Sequence, residues 1–210
     1  MAEIILVRHG QTEWNVGEIF RGRVEIELDA TGITQAQLLA QYLSGREIEA
    51  IYSSPLSRAL QTAEVIAAPH RLKVRVSPNL NDLAFGKWQG LTLEEVRIRF
   101  KRSYATWVEA PDKARIPGGE TLNKVTERAL TFVQEVVRKH RGTVVLVSHR
   151  VVIKCLILAL LGLDNSHFWN IKLDTASISI FSYADDRFVL NEHNNTCHLR
   201  PLHLAALRDF

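Results

Sequence analysis

Ile4-Ile5-Leu6-Val7-Arg8-His9-Gly10-Gln11-Thr12-Glu13-Trp14-Asn15 decides how this chain is read. An apolar run rich in β-branched residues is the pattern of a buried strand, and it stops at a cation, an imidazole and a glycine. In an open α/β sheet the carboxyl ends of the strands border the ligand crevice, and a Gly-containing turn there leaves backbone N–H groups free to face an anion. Arg8 supplies a fixed positive fork at that edge. His9 supplies a nitrogen able to act as base, metal ligand or nucleophile.

Two further strands end in the same way. Glu49-Ala50-Ile51-Tyr52-Ser53-Ser54 is a short apolar strand, Pro55 suits the first turn of the helix after it, and Arg58 falls in that turn. Thr143-Val144-Val145-Leu146-Val147 ends in Ser148-His149-Arg150, and an apolar helix from Val151 to Leu161 follows. Between these lie a helix over residues 32–43, a brief strand Val74-Arg75-Val76, and a loop from Asn79 to Gly90. Beyond the loop come a helical stretch over 92–110 with a break expected before Trp107, and a long amphipathic helix from Leu122 to Val136. Near the end, Ala176 to Tyr183 and Phe188 to Glu192 read as an antiparallel hairpin across Ala184-Asp185-Asp186-Arg187. The alternation of strand and helix predicts an α/β fold, a three-layer αβα sandwich around a mixed, mostly parallel sheet, with residues 1–210 as a single domain.

Of 210 residues, 46% are hydrophobic and 23% charged, the balance of an ordinary globular protein. With 26 basic and 23 acidic residues the formal charge is only +3, and no basic run or zinc-finger spacing occurs, so a nucleic-acid partner is not expected. The Val151–Leu163 segment is too short to span a bilayer and contains Lys154, so no membrane association is expected either. Met1-Ala2-Glu3 lacks a basic leader pattern, and Cys155 and Cys197 suit a reduced, cytoplasmic protein. The hairpin offers a sheet edge that needs protection, and Phe181 and Val189 are candidates for a homodimer contact.

If the three strands are parallel neighbours, Arg8, His9, Arg58 and His149 converge on one crevice. Two imidazoles and two guanidiniums suit a phosphoryl group, whose charge lies on three oxygens that seek hydrogen-bond donors. One histidine would attack phosphorus while the other groups hold the oxygens, and water would then release phosphate. A leaving alkoxide also needs a proton. Asp82 is the one acidic residue of the Asn79–Gly90 loop before Gly86 and is the candidate general acid. A metal site is the competing reading of His9 and His149. No His-Glu-x-x-His or His-x-His spacing supports it, and both histidines adjoin arginine, so no metal and no cofactor is expected. The remaining histidines read as scattered, mostly toward the surface or the C-terminus.

Over essentially its whole length the chain resembles the histidine phosphatase superfamily, in the branch of cofactor-dependent phosphoglycerate mutases and small phosphatases. The matching motifs are Leu6 to Asn15, Tyr52 to Ala63, Gly86-Lys87-Trp88-Gln89-Gly90, Pro117-Gly118-Gly119-Glu120-Thr121 and Val147-Ser148-His149. The resemblance implies that His9 is the phosphorylated nucleophile, that Arg8, Arg58 and His149 form the phosphate pocket, that Asn15 adds a phosphate contact, and that Glu120 is structural. It further implies a small phosphorylated metabolite as substrate, and a homodimer.

Three departures bear on the chemistry. The family most often has glutamate at the position of Asp82, glutamine at that of Arg21 before Gly22, and a small residue at that of Arg150. The last two add positive charge at the crevice, which makes Arg21, Gly22 and Arg150 candidate contacts to an anionic substrate. Within the family, Asn194-Asn195-Thr196-Cys197-His198-Leu199 resembles small metal-independent phosphatases of the phosphoserine and α-ribazole phosphate types, of which the former carry histidine where this chain has Phe85. Mutases carry longer insertions, which favours hydrolysis here and leaves transfer between phosphoglycerates, or a non-catalytic regulatory role, as the alternatives.

Overall fold

The computed structural model describes residues 2–202. In chain order its elements are β1 (Ala2–Arg8), α1 (Glu13–Val16), α2 (Ala30–Leu43), β2 (Ile48–Ser53), α3 (Ser57–His70), β3 (Val74–Val76), α4 (Leu93–Arg99), α5 (Lys101–Glu109), α6 (Leu122–Lys139), β4 (Thr143–Ser148), α7 (Arg150–Leu160), β5 (Ile178–Ala184) and β6 (Arg187–Asn195). The strands form one six-stranded sheet in the order β3-β2-β4-β1-β5-β6. The first four run parallel, and β5 and β6 close the sheet antiparallel.

Successive side chains of a strand point to opposite faces, so an unbroken apolar strand must be covered on both. In β1, Ile4 and Leu6 face one core with Val144 and Leu146 of β4, beneath Val125 and Val133 of α6 and Val152 and Leu156 of α7. Ile5 and Val7, with Val145 and Val147, face the other core beneath Leu39 and Leu43 of α2 and Ala63 and Ile66 of α3. The result is the three-layer sandwich. Register then fixes the site, because Arg8 lies opposite Ser148 and Ser53 opposite Val147. All three central strands therefore end at one level.

Several local expectations need correction. α2 begins at Ala30 rather than Gly32, because the Asp29 carboxylate caps it by accepting the Gly32 N–H at 2.7 Å. Pro55 precedes α3, whose first helical residue is Ser57. The break in the 92–110 stretch falls at Phe100, not before Trp107. Trp107 stays in helix because it packs into an aromatic cluster with Phe85, Trp88, Phe168 and Trp169. The hairpin turn holds Asp185 and Asp186 at positive φ, as a two-residue turn requires. Phe181 is wholly buried in the core and is therefore no candidate for a dimer contact, whereas Val189 on β6 is 55% exposed. His140 is buried, bonded to Tyr52 and Glu49, and His198 is buried against the Ala176 carbonyl, so neither is a surface histidine. His203 lies outside the described residues. Among those residues, no helix is long and apolar enough to cross a membrane.

Candidate active site

His9 is the first residue past β1, and its backbone N–H donates to the Ser148 carbonyl at 3.0 Å, which ties it to the end of β4. Gly10 lets the chain turn there against the first turn of α2. A Cβ at Gly10 would lie 2.6 Å from the Gly32 carbonyl oxygen. The His9 ring donates its Nδ1–H to the Gly10 carbonyl at 2.6 Å, which leaves the lone pair on Nε2. Burial first, then the Arg58, Arg8 and Arg21 charges, holds the His9 pKa well below 6.5, against a smaller opposing pull from the Gly10 carbonyl. The ring is thus neutral near pH 7, as a nitrogen nucleophile must be.

His149, flanking the start of α7, lies beside it with ring centroids 5.2 Å apart. Ser54 Oγ accepts the Leu56 N–H at 3.3 Å and lies 2.7 Å from His149 Nε2, within hydrogen-bond distance. His149 Nδ1 is buried, has no hydrogen-bond partner and lies 3.7 Å from Asp82 Oδ2, beyond hydrogen-bond range. Burial and the Arg58 charge, followed by His9, Arg21 and Arg128, lower this pKa well below 6.5 as well.

Arg58, in the first turn of α3, is fully buried. Its Nη1 donates to the Val24 carbonyl at 3.0 Å, and its Nη2 to the Gly22 carbonyl at 2.8 Å and to Asp82 Oδ2 at 3.1 Å. Its Nε has no hydrogen-bond partner. Arg58 Nε is a buried donor left without a partner and His149 Nδ1 a second buried nitrogen without one, an arrangement that suits an anion pocket. Arg8 is held by its Nη1 on the Leu173 carbonyl at 2.6 Å. Gly22 sits at φ +53°, and a Cβ there would strike the Gln89 side chain. Its carbonyl serves the site through Arg58.

The crevice over His9 is lined by Arg21, Gly22, Asp82, Phe85 and Arg150 among others. Arg21 and Arg150 are buried and face inward, and Arg21 Nη1 donates to the Trp14 carbonyl at 3.0 Å. Arg150 opens α7, so its charge adds to the positive end of the helix dipole. The Asp82 carboxylate accepts the Leu83 N–H at 2.8 Å on Oδ1 as well as the Arg58 bond on Oδ2. Asn15 is buried, and its Oδ1 accepts from the Thr12 N–H and hydroxyl, each at 2.9 Å. Sequence reasoning missed Ser54 as a hydrogen-bond partner of His149, although Ser54 stands in the Tyr52–Ala63 motif. Cys155 offers no rival nucleophile, since burial pushes its thiol up to about 12.

The low histidine pKa values give a direct expectation. In an NMR titration of the ligand-free protein, the His9 and His149 ring resonances stay those of neutral imidazole from about pH 8 to about pH 6. Below about 6.5 the unfolded chain binds protons that the folded one does not, so these residues' contribution to stability is complete above that pH and declines as pH falls through it. Titration of either ring near 6.5 would contradict the burial argument.

These features define a histidine phosphatase, and the chain belongs to the histidine phosphatase superfamily, branch 1, whose family model matches residues 4–196. It is 39% identical over 207 residues to phosphoserine phosphatase 1 of Hydrogenobacter thermophilus, a match covering 98% of each chain. Its fold matches the solved structure of Bacillus stearothermophilus YhfR with a TM-score of 0.91 at 29% identity, over 95% of this chain and 100% of that one. A mycobacterial glucosyl-3-phosphoglycerate phosphatase, solved with VO3, matches with a TM-score of 0.86 at 32% identity, over 92% of this chain and 99% of that one.

Proposed function

We propose that this protein is a phosphomonoester hydrolase that works through a phosphohistidine at His9, without metal, on small metabolites bearing a second anionic group. The observation that carries the reading is the His9 tautomer: Nδ1–H bonded to the Gly10 carbonyl leaves the lone pair of a neutral ring on Nε2, in a ring packed beside His149. Nε2 attacks phosphorus and forms the N–P bond as the ester P–O bond breaks. Asp82 acts as the general acid toward the leaving oxygen. Arg8, Arg58 and His149 hold the three phosphoryl oxygens, whose charge pattern their donors match throughout. Water then attacks the phosphohistidine, Asp82 takes back a proton, and the N–P bond breaks to release phosphate and restore Nε2.

The donor set supports a reaction without metal. Among the described residues no group of three or more His, Cys, Asp or Glu side chains is placed to hold an ion, and both imidazoles sit beside guanidiniums. Burst kinetics with 4-nitrophenyl phosphate test the two-step scheme: one equivalent of nitrophenol released ahead of the steady state is expected, undiminished by chelator. Loss of activity in chelator with recovery on added zinc or magnesium would overturn it.

The second anionic group follows from Arg21 and Arg150, two buried cations on the crevice wall beyond the phosphate donors. Phosphoserine and glucosyl-3-phosphoglycerate, named for two of the relatives, each carry a carboxylate besides the phosphate ester. Across a panel of phosphate esters, those with a further carboxylate or phosphate are expected to show higher kcat/KM, with the advantage shrinking as salt rises. An Arg21→Gln, Arg150→Gly double variant should lose that advantage by about 10-fold or more, the scale of a charge-assisted hydrogen bond or two. An unchanged substrate ranking in the variant would refute the assignment.

A further inference from the structure

The Pro117-Gly118-Gly119-Glu120 segment is a sequence motif that the chemistry above does not use, and the structure shows what it touches. The Glu120 N–H donates to the Ala84 carbonyl at 2.8 Å, and the Lys87 N–H to the Pro117 carbonyl at 2.9 Å. Gly86, at φ +49°, lies so close to Pro117 that a Cβ would collide with its carbonyl oxygen. The motif is therefore fastened along the loop that carries Asp82.

The Glu120 side chain then joins two arginines from distant elements. Arg128, in α6, donates from Nε to Oε1 at 2.9 Å and from Nη2 to Oε2 at 3.1 Å, and Arg23 donates from Nη2 to Oε2 at 3.2 Å. Both guanidiniums also reach the same backbone atom. Arg23 Nε donates to the Asp82 carbonyl at 3.1 Å and Arg128 Nη2 to it at 3.3 Å, while Arg128 Nη1 holds the Asn79 carbonyl at 2.6 Å. On the crevice side, Arg58 and the Leu83 N–H hold the Asp82 carboxylate.

We infer that Glu120, Arg128 and Arg23 form a clamp that positions Asp82 for proton transfer, the two guanidiniums fixing its backbone from outside the crevice while its carboxyl works inside. The inference rests on Asp82 being the general acid. The segment from Pro78 to Gly90 holds two short 3-10 turns, Pro78–Leu80 and Gly86–Trp88, and Asp82 lies between them, so neither an α-helix nor a strand fixes it. Aspartate also reaches one methylene less far than glutamate, so an error in backbone placement is not absorbed by a longer side chain. A displacement of about 1 Å at a reacting group is enough to cost on the order of 10²-fold in rate. Glu120 offsets part of the positive charge that the two arginines bring, and it holds both guanidiniums in the geometry that meets one carbonyl oxygen.

The clamp acts through the acid, so its loss should depend on the leaving group. Arg128→Met is expected to lower kcat on phenethyl phosphate by about 10- to 10²-fold. It should change KM little and leave 4-nitrophenyl phosphate, whose leaving group scarcely needs a proton, within a few-fold of wild type. Arg128→Lys, which keeps a donor and the charge, should recover part of the loss. Arg23→Met is the companion variant, since its side chain is 42% exposed and its removal spares the core; it should show the same split more weakly. Equal losses on both substrates, or no loss on either, would overturn the clamp. Asp82→Ala measured alongside separates the two ideas: a leaving-group split there with none in the arginine variants sinks the clamp alone. No split in Asp82→Ala removes the acid assignment and the clamp together.

Discussion

Replacing His9 by alanine is expected to abolish turnover of every phosphate ester, by on the order of 10⁴-fold or more, the scale seen when a covalent nucleophile is removed. Among the described residues, neither the second imidazole nor the buried cysteine is well placed to substitute. His149 has its Nε2 bonded to Ser54, and Cys155 lies buried within α7 with its thiol pushed up to about 12. The anion donors on Arg8, Arg58 and His149 remain in the variant, so inorganic phosphate or vanadate should still raise its melting temperature. Retained ligand stabilisation with lost turnover separates a missing nucleophile from a damaged pocket. Full activity in His9→Ala would refute the scheme.

The second large effect is expected at Asp82. A general acid contributes about 10²- to 10⁴-fold, and Asp82→Ala should lose that much on alkyl phosphates and far less on 4-nitrophenyl phosphate. One structural consequence has to be kept apart from the chemistry. Arg58 is fully buried and Asp82 Oδ2 is its carboxylate partner at 3.1 Å, and removing one member of a buried ion pair typically costs about 3–5 kcal/mol of stability. Asp82→Asn keeps an acceptor for Arg58 at nearly the same volume but has no proton to give at neutral pH. It should reproduce the leaving-group split with a smaller fall in melting temperature. Equal losses on both substrates in Asp82→Asn would mean that the carboxylate serves phosphate binding through Arg58 rather than proton transfer.

How much of the fold and site is legible in the sequence varies with the kind of contact. Strand ends in a parallel sheet are set by local apolar runs, and three such runs stop at Arg8-His9, Ser53-Ser54 and Ser148-His149, so the residue pattern gives the strand ends while the pairing of β2, β4 and β1 brings them together. The same periodicity misleads at Phe100, because whether a helix breaks there depends on the aromatic cluster around Trp107, which is assembled from three distant segments. Phe181 reads as surface because alternation along a hairpin does not say which face the sheet's core covers. The inward aim of Arg21 and Arg150 depends on loop paths, on which periodicity is silent. The clamp on Asp82 is the least legible. Its bonds join side chains to a main-chain carbonyl across dozens of residues, and Arg23 and Glu120 meet at a sequence separation of 97.

The nucleophile itself can be observed. Wild-type enzyme turning over 4-nitrophenyl phosphate would be quenched within the burst into alkaline denaturant, where phosphohistidine survives, then digested and mapped by mass spectrometry. A phosphoryl group on His9, absent from unreacted enzyme and from His9→Ala, is the expected result. A phosphoryl group on any other residue, or none on His9 in enzyme that shows a burst, would contradict it.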